Sequence, residues 1–169
     1  MLSNAAQSLE KAGADFILIC TNTMHLVAPQ VRASVNIPLL HIADATAEEV
    51  VRTGIKKIGL LGTAFTMEQD FYKDRLEEKY NLTVITPNKA DREIIHNVIY
   101  QELCLGNVTD TSRDKYLRII DQLVVDGAQG VILGCTEIAM LVKKEHTDVR
   151  LFDTTTLHAV KAVDLALSS

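Results

Sequence analysis

The stretch Gly127-Ala-Gln-Gly-Val-Ile-Leu-Gly-Cys-Thr136 decides the fold, because it combines a helix end, a short apolar run and a polar turn. A continuous apolar run between such signals is typical of a parallel strand that is covered on both faces. Residues 13–21, Gly-Ala-Asp-Phe-Ile-Leu-Ile-Cys-Thr, repeat this order with one residue fewer. The echo predicts two related lobes, each with a cysteine where its strand ends.

Similar apolar runs recur along the chain and alternate with amphipathic stretches of helical period. The predicted strands are residues 16–19, 39–42, 58–61, 82–85, 131–133 and 149–152, and the predicted helices include 66–80, 91–105 and 112–125. This alternation predicts an α/β fold of two similar three-layer lobes with largely parallel sheets. We place the lobe boundary near a helix at residues 44–53. The first lobe is then residues 1–43 plus 154–169, and the second is residues 44–153.

Composition excludes several classes of partner. The chain has 169 residues, 47% of them apolar, and a net charge of −5. No basic cluster offers the footprint that a nucleic acid requires. No apolar stretch approaches the length of a membrane span, and residues 1–7 lack the features of a signal peptide. We therefore expect a soluble, cytoplasmic protein without nucleic-acid or membrane partners.

The chain has three cysteines, Cys20, Cys104 and Cys135, separated by 84 and 31 residues. These spacings fit neither a disulfide framework nor a structural zinc site, so we predict no metal. Cys20 and Cys135 stand where a strand ends and a helix is expected to begin, and a helix dipole there would lower the thiol pKa. We predict that these two thiols are opposed acid/base groups. The alternative is packing as small hydrophobes, which is our interpretation of Cys104 in its helical stretch.

Short polar side chains surround the same strand ends and could hold a carboxylate. They are Thr21, Asn22, Thr23, Thr63, Thr66 and Thr136. Helix capping favours the same residue types and is the alternative explanation. Glu137 could be a first-turn helix acid or a partner for a substrate amine. His25, His41 and His158 lie near element ends, where packing or capping is the more common role.

Together these motifs resemble the aspartate/glutamate racemase family, in particular its broad-specificity amino-acid racemases. The resemblance rests on residues 20–25 (Cys-Thr-Asn-Thr-Met-His), 58–63 (Ile-Gly-Leu-Leu-Gly-Thr), 134–138 (Gly-Cys-Thr-Glu-Ile) and 153–158 (Asp-Thr-Thr-Thr-Leu-His). It implies two α/β lobes with the site between them, no cofactor, an amino-acid substrate and a homodimer. It also implies that Cys20 and Cys135 are the two catalytic bases, with the six polar residues around the substrate carboxylate.

Two departures from the family pattern bear on function. Members normally begin with a further strand and helix, whereas only residues 1–15 precede the first predicted strand, so we expect an incomplete first lobe. Many aspartate-directed members carry a basic residue where this chain has Leu105, which disfavours an acidic substrate side chain. The remaining alternatives are a hydantoin racemase-like enzyme and an inactive, truncated member that binds a small carboxylate.

Racemisation explains why two thiols would be needed. A base must remove the α-proton from one face of the substrate while an acid supplies a proton to the other, because a single group returns the proton to its original face. The site must also stabilise the charge that develops on the carboxylate. Cys20 and Cys135 could exchange these two roles for the two enantiomers.

Overall fold

The computed structural model describes residues 1–168 and contains two parallel β-sheets. The strands are β1 (Ile17–Leu18), β2 (Leu39–Leu40), β3 (Lys57–Gly62), β4 (Thr83–Ile85), β5 (Val131–Gly134) and β6 (Leu151–Asp153). Strands β1 and β2 pair with each other, and the larger sheet has the order β4-β3-β5-β6. The prediction of an α/β fold with parallel sheets is confirmed.

Helices connect the strands, as parallel pairing requires. They are α1 (Leu2–Lys11), α2 (Ala28–Arg32), α3 (Ile42–Arg52), α4 (Ala64–Glu68), α5 (Asp70–Tyr80), α6 (Lys89–Gln101), α7 (Asp110–Val125), α8 (Ile138–Leu141) and α9 (Thr154–Leu167). Short 3₁₀ helices occupy Thr23–Val27, Leu103–Leu105 and Lys144–His146. No helix within residues 1–168 is long and apolar enough to cross a membrane.

The four-stranded sheet has a hydrophobic core on each face. Successive side chains of a strand point to opposite faces. On β5, Val131 and Leu133 join the core beneath α6 and α7, whereas Ile132 joins the core beneath α3 and α5. Both faces are therefore covered, which explains why the strands of this sheet are continuous apolar runs.

The small sheet has a separate core, formed with α1 and α2 around Ile17, Ile19 and Val31. The C-terminal helix α9 contacts both parts of the molecule. It packs along α3 and near β5 and β6, and His158 on it hydrogen-bonds the carbonyl oxygen of Leu40 in β2. The division into residues 1–43 plus 154–169 and residues 44–153 stays a prediction, and Ser169 lies outside the described residues.

Two predicted helices are wrong in extent. The helix expected at residues 66–80 is interrupted at Gln69, whose extended backbone (φ −91°, ψ 150°) separates α4 from α5. The helix expected at 91–105 ends at Gln101, and a 3₁₀ turn follows. Amphipathic periodicity continued through both breaks, because apolar side chains still face the core on either side of them.

Candidate active site

The carboxyl ends of β1, β3 and β5 meet at a cavity of about 340 Å³. Its walls are formed by Cys20, Thr21, Asn22, Thr23, Met24, Thr63, Ile99, Tyr100, Cys104, Gly134, Cys135, Thr136 and Glu137. Seven of the eight residues predicted for the site from the sequence are in this set. Ligands of open parallel sheets bind beyond the carboxyl ends of the strands, so the location suits a binding site.

Cys135 and its neighbours form a hydrogen-bonded group on one wall. The Cys135 thiol donates to Oε2 of Glu137 at 2.9 Å, and the Thr136 hydroxyl donates to the same oxygen at 2.7 Å. Burial raises the pKa of Glu137, but the hydrogen bonds from Cys135 and Thr136 outweigh it and hold the pKa below its ordinary value. Glu137 is therefore a carboxylate that accepts a hydrogen bond from the Cys135 thiol.

The expected activation of Cys135 by a helix dipole is wrong. Burial and the hydrogen-bonded Glu137 carboxylate raise the pKa of the Cys135 thiol well above its ordinary value. The helix that follows, α8, has only four residues, and Cys20 is followed by a five-residue 3₁₀ helix rather than an α-helix. Such short segments contribute little dipole. Cys135 is held as a thiol, the form that can donate a proton.

Cys20 also lines the cavity, follows strand β1 of the smaller sheet and is exposed. The next two residues turn the chain into the 3₁₀ helix. Asn22 is buried, and its Nδ2 donates to the Thr154 hydroxyl at 3.0 Å, which in turn donates to the carbonyl of Leu133 at 2.9 Å. Its Oδ1 has no hydrogen-bond partner among the described residues. This oxygen is itself buried, so it is an unsatisfied acceptor beneath the cavity wall.

Three threonine hydroxyls connect the two sheets beside the cavity. Oγ1 of Thr23 lies 3.0 Å from Oγ1 of Thr63 and 3.4 Å from that of Thr66, and the last two are 3.3 Å apart. Thr63 also caps α4. Thr66 is fully buried and is not among the residues that line the cavity, so its predicted contact with a substrate carboxylate stays a prediction without support from this geometry. Its role here is to support Thr23 and Thr63.

Both the sequence and the fold match a known protein family. Residues 1–162 match the sequence profile of the family described as Asp/Glu/Hydantoin racemase. The chain belongs to this family. Its relatives include proteins named as amino-acid racemases, which are isomerases.

Solved structures and a curated relative agree with this family. A Yersinia pestis protein assigned to the Asp/Glu racemases is 56% identical, with a TM-score of 0.93 over 98% of this chain and 72% of that one. An aspartate racemase homologue from Pyrococcus horikoshii is 41% identical, with a TM-score of 0.87 over 97% and 72%. The broad-specificity amino-acid racemase of Bacillus subtilis is 22% identical over 98% of this chain and 70% of its own length.

Part of the cavity wall was not predicted from the sequence motifs. Cys104 is exposed on the 3₁₀ turn after α6 and lines the cavity, so its interpretation as a packing residue is wrong. Tyr100, at the end of α6, also lines the wall. The centroid of its ring lies 4.7 Å from that of the tilted His96 ring. The glycine at position 106 was the available signal, because a glycine just past a helix places the preceding residues in a surface turn.

The described part of the chain contains no group of three or more His, Cys, Asp or Glu side chains that could hold a metal ion. The chemistry that this wall offers is proton transfer and hydrogen bonding.

Proposed function

We propose that this protein inverts the α-carbon of an amino acid by proton transfer between Cys20 and Cys135. The observation that carries the proposal is that both thiols line one cavity, although they follow strands of different sheets. Two groups on opposite sides of a substrate are what inversion requires.

In the proposed mechanism the proton moves as follows. For one enantiomer, the Cys20 thiolate takes the α-proton as the C–H bond breaks. Cys135 donates its thiol proton to the opposite face, which forms the new C–H bond and leaves Cys135 as thiolate. For the other enantiomer the same steps run in reverse: the Cys135 thiolate takes the α-proton and the Cys20 thiol donates its proton to the opposite face. The 2.9 Å contact between Cys135 and Glu137 supports the thiol form of Cys135 as the acid in the first direction.

The remaining polar groups of the wall suit the substrate backbone. We assign the substrate ammonium to the part of the wall formed by Asn22, whose buried Oδ1 is unpaired and would contact the ammonium after the amide turns toward the cavity. We assign its carboxylate to the hydroxyls of Thr21, Thr23, Thr63 and Thr136 and to nearby backbone N–H groups. Donors aimed at the carboxylate stabilise the charge that develops there when the α-proton leaves.

We also propose that the substrate side chain is uncharged. Among the described residues that line the cavity there is no lysine or arginine, while Glu137 contributes a negative charge. A second carboxylate on the substrate would be desolvated here without a cationic partner, which is unfavourable. Leu105, where many aspartate-directed members have a basic residue, is consistent with this preference.

The experiment is enantiomer conversion over a panel of amino acids and hydantoins, followed by chiral chromatography. We expect uncharged amino acids to be racemised with higher kcat/KM than aspartate and glutamate. Cys20→Ser and Cys135→Ser should each abolish racemisation while the circular dichroism spectrum is retained. Near-normal turnover in either variant would rule out the two-thiol mechanism. If only hydantoins are converted, the substrate is a hydantoin and not an amino acid. Binding of a carboxylate without any conversion would favour the inactive member.

Two further expectations accompany the proposal. The homodimer implied by the resemblance stays a prediction, which light scattering of the purified chain tests. The cytoplasmic location also stays a prediction.

A further inference from the structure

A cluster of three buried histidines lies outside the cavity. His25, His41 and His158 are 2%, 6% and 4% exposed, and they come from the first 3₁₀ helix, the β2–α3 junction and α9. The ring centroids of His25 and His41 are 4.2 Å apart, and those of His25 and His158 are 6.1 Å apart. The proposed reaction uses none of these rings, so their arrangement needs another explanation.

The hydrogen bonds of His25 define its tautomer. The backbone N–H of Ile42 donates to Nε2 of His25 at 3.2 Å, so this nitrogen is the unprotonated acceptor. Nδ1 therefore carries the proton and donates to the carbonyl oxygen of Thr21 at 2.8 Å. His25 thus bridges the residue after Cys20 to the first turn of α3.

The other two histidines hydrogen-bond the same junction and not the residues beside Cys20. Nδ1 of His41 accepts from the N–H of Ala43 at 3.2 Å and caps α3. Nε2 of His158 donates to the carbonyl oxygen of Leu40 at 2.9 Å. Within the cluster, the ring hydrogen-bonded to the backbone beside Cys20 is that of His25.

We propose that His25 is a positioning residue for Cys20. Its neutral ring, in the tautomer selected by Ile42, holds the Thr21 carbonyl and with it the loop that presents Cys20 to the cavity. Cys20 follows a strand of only two residues and is exposed, so its own side chain is weakly anchored. A small displacement of a reacting group can cost up to about a hundredfold in rate. The effect on turnover rests on the proposed function; the effect on Cys20 itself does not.

The surroundings keep the ring neutral near pH 7. Burial lowers the pKa of His25 from 6.5 to about 4. The groups that face it are His41 and Asp44 from the start of α3, Arg75 from α5 and His158 from α9. Asp44 is already paired with Arg75 at 2.6 Å, so it offers little stabilisation to an imidazolium.

Two matched substitutions separate the two hydrogen bonds of His25. The amide nitrogen of asparagine overlies Nδ1 of histidine, so His25→Asn retains a donor for Thr21 and loses the contact with Ile42. The amide of glutamine overlies Nε2, so His25→Gln retains an acceptor for Ile42 and loses Thr21. His158→Asn, which removes a buried ring whose hydrogen bond goes to Leu40 and not to the Cys20 loop, is the control for general loss of packing.

The measurements are kcat, KM and the iodoacetamide reaction rate of each cysteine, resolved by peptide mass spectrometry with Cys104 as internal reference. We expect His25→Gln to lower kcat at least about tenfold with little change in KM. It should also change the rate at which iodoacetamide alkylates Cys20 about fivefold, relative to the rate for Cys104. His25→Asn should keep both kcat and the alkylation rate of Cys20 within about threefold of the parent values. His158→Asn should lower the unfolding midpoint without changing the alkylation rate of Cys20.

The proposal is overturned if His25→Asn and His25→Gln are equally impaired, or if His25→Gln lowers only the unfolding midpoint. If the parent protein racemises nothing, the proposed function fails. The alkylation rates of Cys20 then still decide the role of His25, because they need no substrate.

Discussion

Cys135 illustrates what a residue's sequence context can and cannot predict. Its position after a buried strand was predictable, because an apolar run followed by Cys-Thr defines the strand end. Its protonation was not, because the decisive partner, the Glu137 carboxylate at 2.9 Å, depends on the turn between β5 and α8. The contact makes Cys135 a resting acid rather than an activated thiolate.

The substitution Glu137→Gln tests this pairing. Removing the carboxylate should lower the pKa of Cys135, so iodoacetamide should label it faster at pH 8. Racemisation should nevertheless slow by at least about tenfold, because the thiol loses the hydrogen bond that fixes it in the cavity wall. Peptide mapping and chiral chromatography measure the two effects. Glu145→Gln, at an exposed site away from the cavity, is the control. Unchanged labelling of Cys135 would show that Glu137 does not influence its proton.

Among the secondary-structure elements, the strands were predicted better than the helices. Apolar runs identified each strand to within about two residues at either end, because both faces of the larger sheet are buried. The break at Gln69 and the 3₁₀ turn at Leu103–Leu105 leave no comparable mark, and that turn carries Cys104. Thr66 lies in α4 facing the protein interior, which helical position alone did not reveal.

The glycines that end β3 and β5 allow the two strands to approach closely at the cavity. A Cβ added to Gly134 would lie 2.7 Å from the carbonyl oxygen of Leu61 and 3.0 Å from a methyl group of Leu60. Any side chain at this position would push β5, and Cys135 with it, away from β3.

We therefore expect Gly134→Ala to lower the free energy of unfolding by about 1–3 kcal/mol and to reduce kcat more than KM. Urea denaturation and steady-state kinetics measure the two effects. As a control, Gly106→Asn places its side chain in open space at a left-handed position (φ 78°) that asparagine tolerates, and should cost less than about 1 kcal/mol. A Gly134→Ala protein of parental stability and activity would contradict the close-packing argument.

The molecule as a whole joins its two sheets through buried polar groups. The threonine hydroxyls meet beside the cavity, and the histidine cluster ties the first 3₁₀ helix to α3 and α9. An internal echo in the sequence could suggest two lobes, but it could not show that these particular side chains would meet. Contacts between residues far apart in sequence become visible only in the folded chain.

The buried histidines that connect the first 3₁₀ helix to α3 and α9 are neutral, and the free energy of unfolding therefore depends on pH. Burial lowers the pKa of His25 to about 4 and that of His41 to about 2, so the unfolded chain binds protons that the folded chain does not. The free energy of unfolding should therefore fall as pH decreases below about 6.5, by about 2 kcal/mol for each of these rings at pH 5.

Urea denaturation at pH 7 and pH 5 measures this loss. His41→Asn removes one titrating ring while asparagine can still cap α3, so its loss between the two pH values should be smaller by about 2 kcal/mol. Equal losses in parent and variant would show that His41 does not contribute.

Solvent deuterium incorporation tests the two-thiol mechanism most directly. Each enantiomer of a good substrate is incubated with the protein in D₂O, and proton NMR and chiral chromatography follow the α-position. Two opposed thiols predict that the inverted product carries solvent deuterium from either starting enantiomer, and that Cys20→Ser and Cys135→Ser each abolish inversion. Inversion that retains the original proton, or that survives loss of either thiol, would contradict the mechanism.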